Sequence, residues 1–115
     1  MGGTNVKQVV AANLADEFKK NQNVLTAIRD ETRQAILLTL IQGQQVPGMR
    51  VGEIKEKTHL SRPAVSHHLK ILKDAQIISV RKEGTINYYR LDTKSKLKLL
   101  KNLVEQIEML LSQCE

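Results

Sequence analysis

The segment VGEIKEKTHLSRPAVSHHLKIL, residues 51–72, constrains this chain more than any other. Val51 and Ile54, with the stem of Lys57, put apolar atoms on one side of two helical turns, and THL (58–60) leaves room only for a short connection. Ser61 is a good helix N-cap, because its hydroxyl can accept from an unpaired N–H of the first turn. Pro63 then falls in that first turn, where a missing N–H costs nothing. Val65, Leu69 and Leu72, with His68 beside them, line one face of the new helix. Two short helices joined by three residues bury those faces against each other as a helix-turn-helix. The pattern then changes period. IISVRKEGTINYYRL (77–91) is rich in β-branched and aromatic residues around Glu83-Gly84, which predicts a β-hairpin with a charged tip. A hairpin directly after a helix-turn-helix is a wing.

The flanking sequence is helical. Val6, Val10, Leu14 and Phe18 recur every fourth residue, predicting a helix over 6–20. NQNVLTAIR (21–29) reads as a short second helix, and Asp30 caps a third, ETRQAILLTLIQ, that stops at Gly43. GQQVPGM (43–49) is a turn-rich loop. Leu97, Leu100, Val104, Ile107, Leu111 and Cys114 are spaced 3, 4, 3, 4, 3, a heptad-like seam that wants a partner helix. The expected fold is mainly α with a β-hairpin wing (α+β): one winged-helix domain over 1–115, with the helix-turn-helix at 51–75 and the wing at 76–91. The helical segments 1–22 and 93–115 are read as dimerisation elements, with Val6, Val10, Leu100, Val104, Ile107 and Leu111 at the interface. A chain of 115 residues buries a thin core, and a second copy would enlarge it.

Charge narrows the partner. The net charge of +6 is concentrated: residues 49–90 carry nine basic and four acidic side chains, whereas 1–48 and 91–115 are close to neutral. A concentrated excess suggests a polyanion-binding face. On a helix starting at Ser61, Arg62, Ser66 and Lys70 follow at i+4, with Pro63, His67 and Lys73 alongside, opposite the apolar face. Arginine can grip guanine bidentately, Ser and His reach base edges or phosphates, and lysine contacts phosphate. An α-helix fits the major groove of B-DNA. Ser61, Arg62, Pro63, Ser66, His67 and Lys70 are therefore the candidate readers on the helix, and Arg81, Lys82, Thr85 and Asn87 the candidate contacts on the wing.

Rival chemistries are poorly served. His67 and His68 are adjacent on a helix and diverge by about 100°, His59 lies across a turn, and no cysteine or carboxylate is placed to complete a tetrahedral metal set. No phosphate loop or nucleophile elbow occurs, and Ser66-His67 adjacency does not make a nucleophile–base pair, so no catalytic residue and no cofactor are assigned. RNA recognition relies on stacking aromatics, and Phe18, Tyr88 and Tyr89 are a poor supply. A winged helix used for protein–protein assembly does not need the basic stripe. No apolar run exceeds four residues, so no membrane partner is expected, nor a secretory signal, and the expected location is the cytoplasm. Cys114, the single cysteine, excludes an intrachain disulfide and reads as a small apolar residue on the terminal seam.

LSRPAVSHHLKILKDAQIISVRKEGTINYYRL closely resembles the helix-turn-helix and wing of the ArsR-type (ArsR/SmtB) bacterial repressors, whose pattern is Leu-Ser-x-x-x-Val-Ser-x-His-Leu-x-x-Leu followed by a basic hairpin ending Tyr-Tyr-x-Leu. IRDETRQAILLTL (28–40) resembles the same family's Asp-x-x-Arg-x-x-Ile-Leu segment, so the resemblance covers roughly 24–92. It implies a homodimeric repressor released from operator DNA by an inducer; the alternative reading is a winged-helix regulator of another family, or a winged helix used for RNA or protein binding. Two departures stand out. Where metal-sensing members carry a Cys-x-Cys pair, this chain has Met49-Arg50-Val51-Gly52-Glu53, and its C-terminal segment holds no histidine. The resemblance thus implies a DNA-binding half without the family's usual metal sites, and an inducer of unspecified chemistry.

Overall fold

The computed structural model describes residues 6–113. Its elements run α1 (Val6–Lys20), α2 (Gln22–Ile28), α3 (Glu31–Gln42), α4 (Val51–Thr58), α5 (Arg62–Asp74), β1 (Ile78–Glu83), β2 (Ile86–Leu91) and α6 (Leu97–Gln113). Local chemistry sets the boundaries. Asp30 Oδ1 accepts from the Arg33 N–H at 3.0 Å to start α3, and Ser61 Oγ accepts from the Ala64 N–H at 3.2 Å to start α5. His59 closes α4 in the left-handed region (φ 58°), which turns the chain sharply into α5. Gln76 (φ 61°) does the same after α5: its N–H bonds Lys73 O and the Ile77 N–H bonds Leu72 O, the paired bonds of a Schellman end. Gly43 ends α3 in extended backbone instead of the left-handed cap that a terminal glycine suggests.

The core lies where α2, α3, α4, α5 and the base of the hairpin meet. Val24, Ala27, Ile36, Leu40, Ile54, Val65, Leu69, Leu72, Ile77 and Ile78 are buried there, with Tyr89 and Leu91 packed against them. Lys57, expected to lay its stem inward, is exposed, and Thr58 is the half-buried residue on that turn. The reason is helical phase: Thr58, four residues after Ile54 and seven after Val51, takes the inward position, and Lys57 is turned off that face.

The hairpin pairs Ile78 with Leu91 through to Glu83 with Ile86, so its two-residue loop is Gly84-Thr85, one residue later than the Glu83-Gly84 midpoint the sequence suggests. Gly84 has φ +63° at the first loop position, as a type II′ turn requires. A second strap holds the wing: Met49 and Tyr89 exchange backbone hydrogen bonds at 2.8 and 2.7 Å. Gly48 (φ +118°) permits that approach, since a Cβ there would stand 2.8 Å from Tyr89 O.

The terminal helices form an arm. Among the described residues α1 packs only on α6 and α2, and α6 only on α1 and α2. The radius of gyration is 18.3 Å, against about 13 Å for a compact chain of this length, and the extents are 64 × 26 × 21 Å. The seam read from the sequence is split by this packing. Leu103, outside that seam, is the buried residue of α6, with Leu99 and Leu110 half-buried beside it. Leu100 and Ile107 are half-buried, whereas Val104 and Leu111 stay exposed. On α1, Val10 is half-buried and Val6 exposed. Cys114 lies outside the described residues.

Candidate nucleic-acid interface

Helix α5 carries its apolar residues Val65, Leu69 and Leu72 inward, and so turns Arg62, Pro63, Ser66, His67 and Lys70 outward, all exposed. Ser61 spends its hydroxyl on capping, leaving Arg62 and Ser66 as the first polar groups free to meet a ligand. Lys70 lies 2.9 Å from Asp74 one turn on, an exposed pair worth little in water and readily exchanged for a phosphate. No donor or acceptor on this face is committed to the core.

The wing meets the start of α5 across a groove of about 440 Å³, lined by Arg50, Glu53, Arg62, Thr85 and Asn87. Strand alternation divides the candidate wing residues. Lys82 and Asn87 are register partners and share one face, while Arg81, paired with Tyr88, projects from the other. Arg81 is also held 3.0 Å from Glu83. Thr85 sits at the tip. The groove therefore gathers Arg62, Thr85 and Asn87 and does not include Arg81.

Arg50 was not singled out by sequence reasoning, although it stands immediately before α4. Glu53 accepts from both its backbone N–H (3.2 Å) and its Nε (3.0 Å), which fixes the guanidinium at the groove's edge. That hydrogen bond, reinforced by the nearby positive charge, holds Glu53 below the usual carboxylate range.

The histidines take separate roles. His67 is exposed, and its ring meets that of His68 edge-on at 5.3 Å. His68 is half-buried, with Nδ1 3.3 Å from Arg33 Nη1. The Arg33 guanidinium occupies the Nδ1 side of that ring. Among the described residues no group of three His, Cys, Asp or Glu side chains is arranged to hold a metal.

A solvent-facing basic helix in the second position of a helix-turn-helix, beside a strapped hairpin, defines the winged helix-turn-helix class of transcriptional regulators. The comparisons make this specific. The sequence profile of the family described as bacterial regulatory protein, arsR family, matches residues 30–80. The chain is 45% identical over 71 residues to the transcriptional repressor SdpR of Bacillus subtilis, spanning 62% of this chain and 74% of SdpR. It is 34% identical over 92 residues to the HTH-type transcriptional regulator MJ1325 of Methanocaldococcus jannaschii, spanning 80% of this chain and 99% of that protein. The crystal structure of the ArsR family transcriptional regulator RHA00566 superposes with a TM-score of 0.69 at 19% identity, covering 82% of this chain and 92% of that one, and so shares the fold. The chain belongs to the ArsR family, whose members are transcriptional regulators and not enzymes. No helix of the described residues is long and apolar enough to cross a membrane.

Proposed function

We propose that this protein is a cytoplasmic homodimeric repressor that binds double-stranded operator DNA sequence-specifically. In this reading α5 enters the major groove, with Arg62, Ser66 and His67 at base edges and Lys70 on phosphate, while Lys82, Thr85 and Asn87 follow the backbone from the wing. Arg81, on the wing's other face, meets a neighbouring phosphate. The observation that carries the proposal is the fully solvent-facing basic side of α5, which the core does not use and which adjoins the Arg50–Arg62 groove. The similarity to SdpR, a transcriptional repressor, favours repression over activation.

Dimerisation is read from the projecting α1/α6 arm, where Val104 and Leu111 remain exposed and Leu97 partly so. In this reading residues 1–22 and 93–115 are the dimerisation segments, 51–75 the reading unit and 76–91 the wing. A two-fold dimer would place its two α5 helices about one DNA turn apart, so the operator should be an imperfect palindrome. Release is assigned to an inducer other than a metal bound at the family's usual sites, because Met49–Glu53 offers no thiolate and α6 no imidazole. Selection of bound sequences from a random duplex pool tests the reading. Recovery of a two-fold motif supports it, and a pool that remains random after selection refutes sequence-specific binding.

A further inference from the structure

The one buried cation among the described residues lies away from the DNA face. Arg33, on the first turn of α3, is 8% exposed. Its Nε donates to Ala27 O at 2.7 Å and its Nη2 to Thr26 O at 2.9 Å, while the neighbouring Gln34 Nε2 donates to Ile28 O at 2.8 Å. With the Arg29 N–H bonded to Leu25 O, the last four carbonyls of α2 are all satisfied, three of them by side chains of α3. The α2–α3 corner is thereby locked. The remaining arm of the same guanidinium reaches across to α5, where Nη1 stands 3.3 Å from His68 Nδ1.

The polarity of this last bond is fixed by chemistry. A guanidinium only donates and does not lose its proton, so His68 Nδ1 must present a lone pair and the ring proton must sit on Nε2. A second proton on the imidazole would set N–H against N–H and cation against cation. The charged and titratable groups acting on His68 are Asp30 and Arg33 from the α3 side and His67 on its own helix; α2, α4 and β1, which also pack on α5, contribute none. Burial leads in pushing its titration below the ordinary histidine value, Asp30 opposes, and Arg33 and His67 add to the downward push.

We propose that Arg33 and His68 are positioning residues for DNA reading: neutral His68, accepting from Arg33, latches the recognition helix to the α2–α3 corner, and a proton at Nδ1 undoes the latch. The inference rests on the reading of α5 as the DNA-binding helix. His68 leaves the helix one residue after His67, on the opposite side from the exposed stripe, so it acts on DNA only through the angle at which α5 is held. Since α2 also packs on α6, the latch lies between the arm and the recognition helix.

The test is operator and random-duplex binding by fluorescence anisotropy between about pH 8 and about pH 5, on the full chain and on His68→Asn, His68→Leu and His67→Asn. Asparagine puts Oδ1 where Nδ1 stood, accepts from Arg33, and cannot take up a proton. Wild type should lose about tenfold in operator affinity on acidification. Affinity for random duplex should hold or rise, because acidification adds only positive charge to the protein and with it attraction to phosphate. His68→Asn should bind like wild type at the alkaline end and show no acid loss, His67→Asn should keep the loss, and His68→Leu should be weakened throughout. An undiminished acid loss in His68→Asn, or normal operator binding by His68→Leu, overturns the latch while leaving DNA reading intact. Absence of binding to any duplex at any pH overturns the DNA reading and the positioning role with it. Nitrogen NMR of the free protein provides an arm independent of DNA: His68 should be the Nε2–H tautomer near neutrality, and an Nδ1–H tautomer refutes the latch.

Discussion

Replacing Val104 with aspartate separates the arm's role in assembly from its role in folding. Val104 is 45% exposed in the single chain, so an aspartate there stays in water in a monomer and costs only about 0.5 kcal/mol of helix propensity. In a dimer built on this face, the same site loses roughly 70 Å² of apolar contact per chain, about 2 kcal/mol. It also places a carboxylate in an apolar seam, at several kcal/mol per charge. Two copies double both effects, so the dimer should lose at least about 5 kcal/mol, a thousandfold or more in dissociation constant. Ile107 is a less informative site, because it is already half-buried within its own chain and its replacement would disturb the monomer as well. Sedimentation velocity at micromolar concentration reads the outcome directly: wild type should run as twice the 13.0 kDa chain and Val104→Asp as a single chain with unchanged far-UV helicity. A Val104→Asp protein that sediments as a dimer places the interface elsewhere, and a monomeric wild type removes the need for one.

Arg62→Ala should cost about 1–3 kcal/mol on the selected operator and relax its sequence preference, whereas Lys82→Ala should weaken all duplexes alike and reduce the salt slope by about one, both read by titration at several salt concentrations. Equal losses on specific and random DNA for Arg62→Ala would reassign it to phosphate. Gly48→Ala should destabilise by about 2 kcal/mol or more in urea unfolding, because φ is +118° and the added methyl would meet Tyr89 O; an unchanged midpoint would show that the strap between Met49 and the wing is dispensable. Asp30 is held below the ordinary carboxylate value, chiefly by the Arg33 backbone N–H, so its contribution to stability is present above about pH 4 and is lost as the pH falls further. Asp30→Asn should flatten that acid limb of the stability curve, and an identical limb in both proteins would rule out Asp30 as its source. Micromolar zinc or cadmium should leave operator affinity unchanged, and release that disappears in Cys114→Ser would show a thiolate sensor in the terminal segment.

What could be read from the sequence is what local chemistry dictates. Asp30 and Ser61 are caps because a short oxygen-bearing side chain can reach an N–H three residues on, and both start their helices as expected. The inward face of α5 follows from the spacing of Val65, Leu69 and Leu72, and its outward basic stripe follows with it. The wing was legible from a change of period and the glycine of its turn. The rest needed the chain folded. Leu103 lies inside and Val104 outside because α1 meets one edge of a broad apolar stripe on α6, and heptad spacing does not say which edge a neighbour covers. Lys82 and Arg81 look equivalent as neighbours in sequence but face opposite ways once register is set. Arg33 gave only a family resemblance along the chain. Its partners at Thr26, Ala27 and His68 are 7, 6 and 35 residues away, and only tertiary packing brings them to one guanidinium. Helix periodicity and capping act within about four residues and are written in the sequence, whereas the pairing of a buried charge is decided by which backbone carbonyls and side chains close around it.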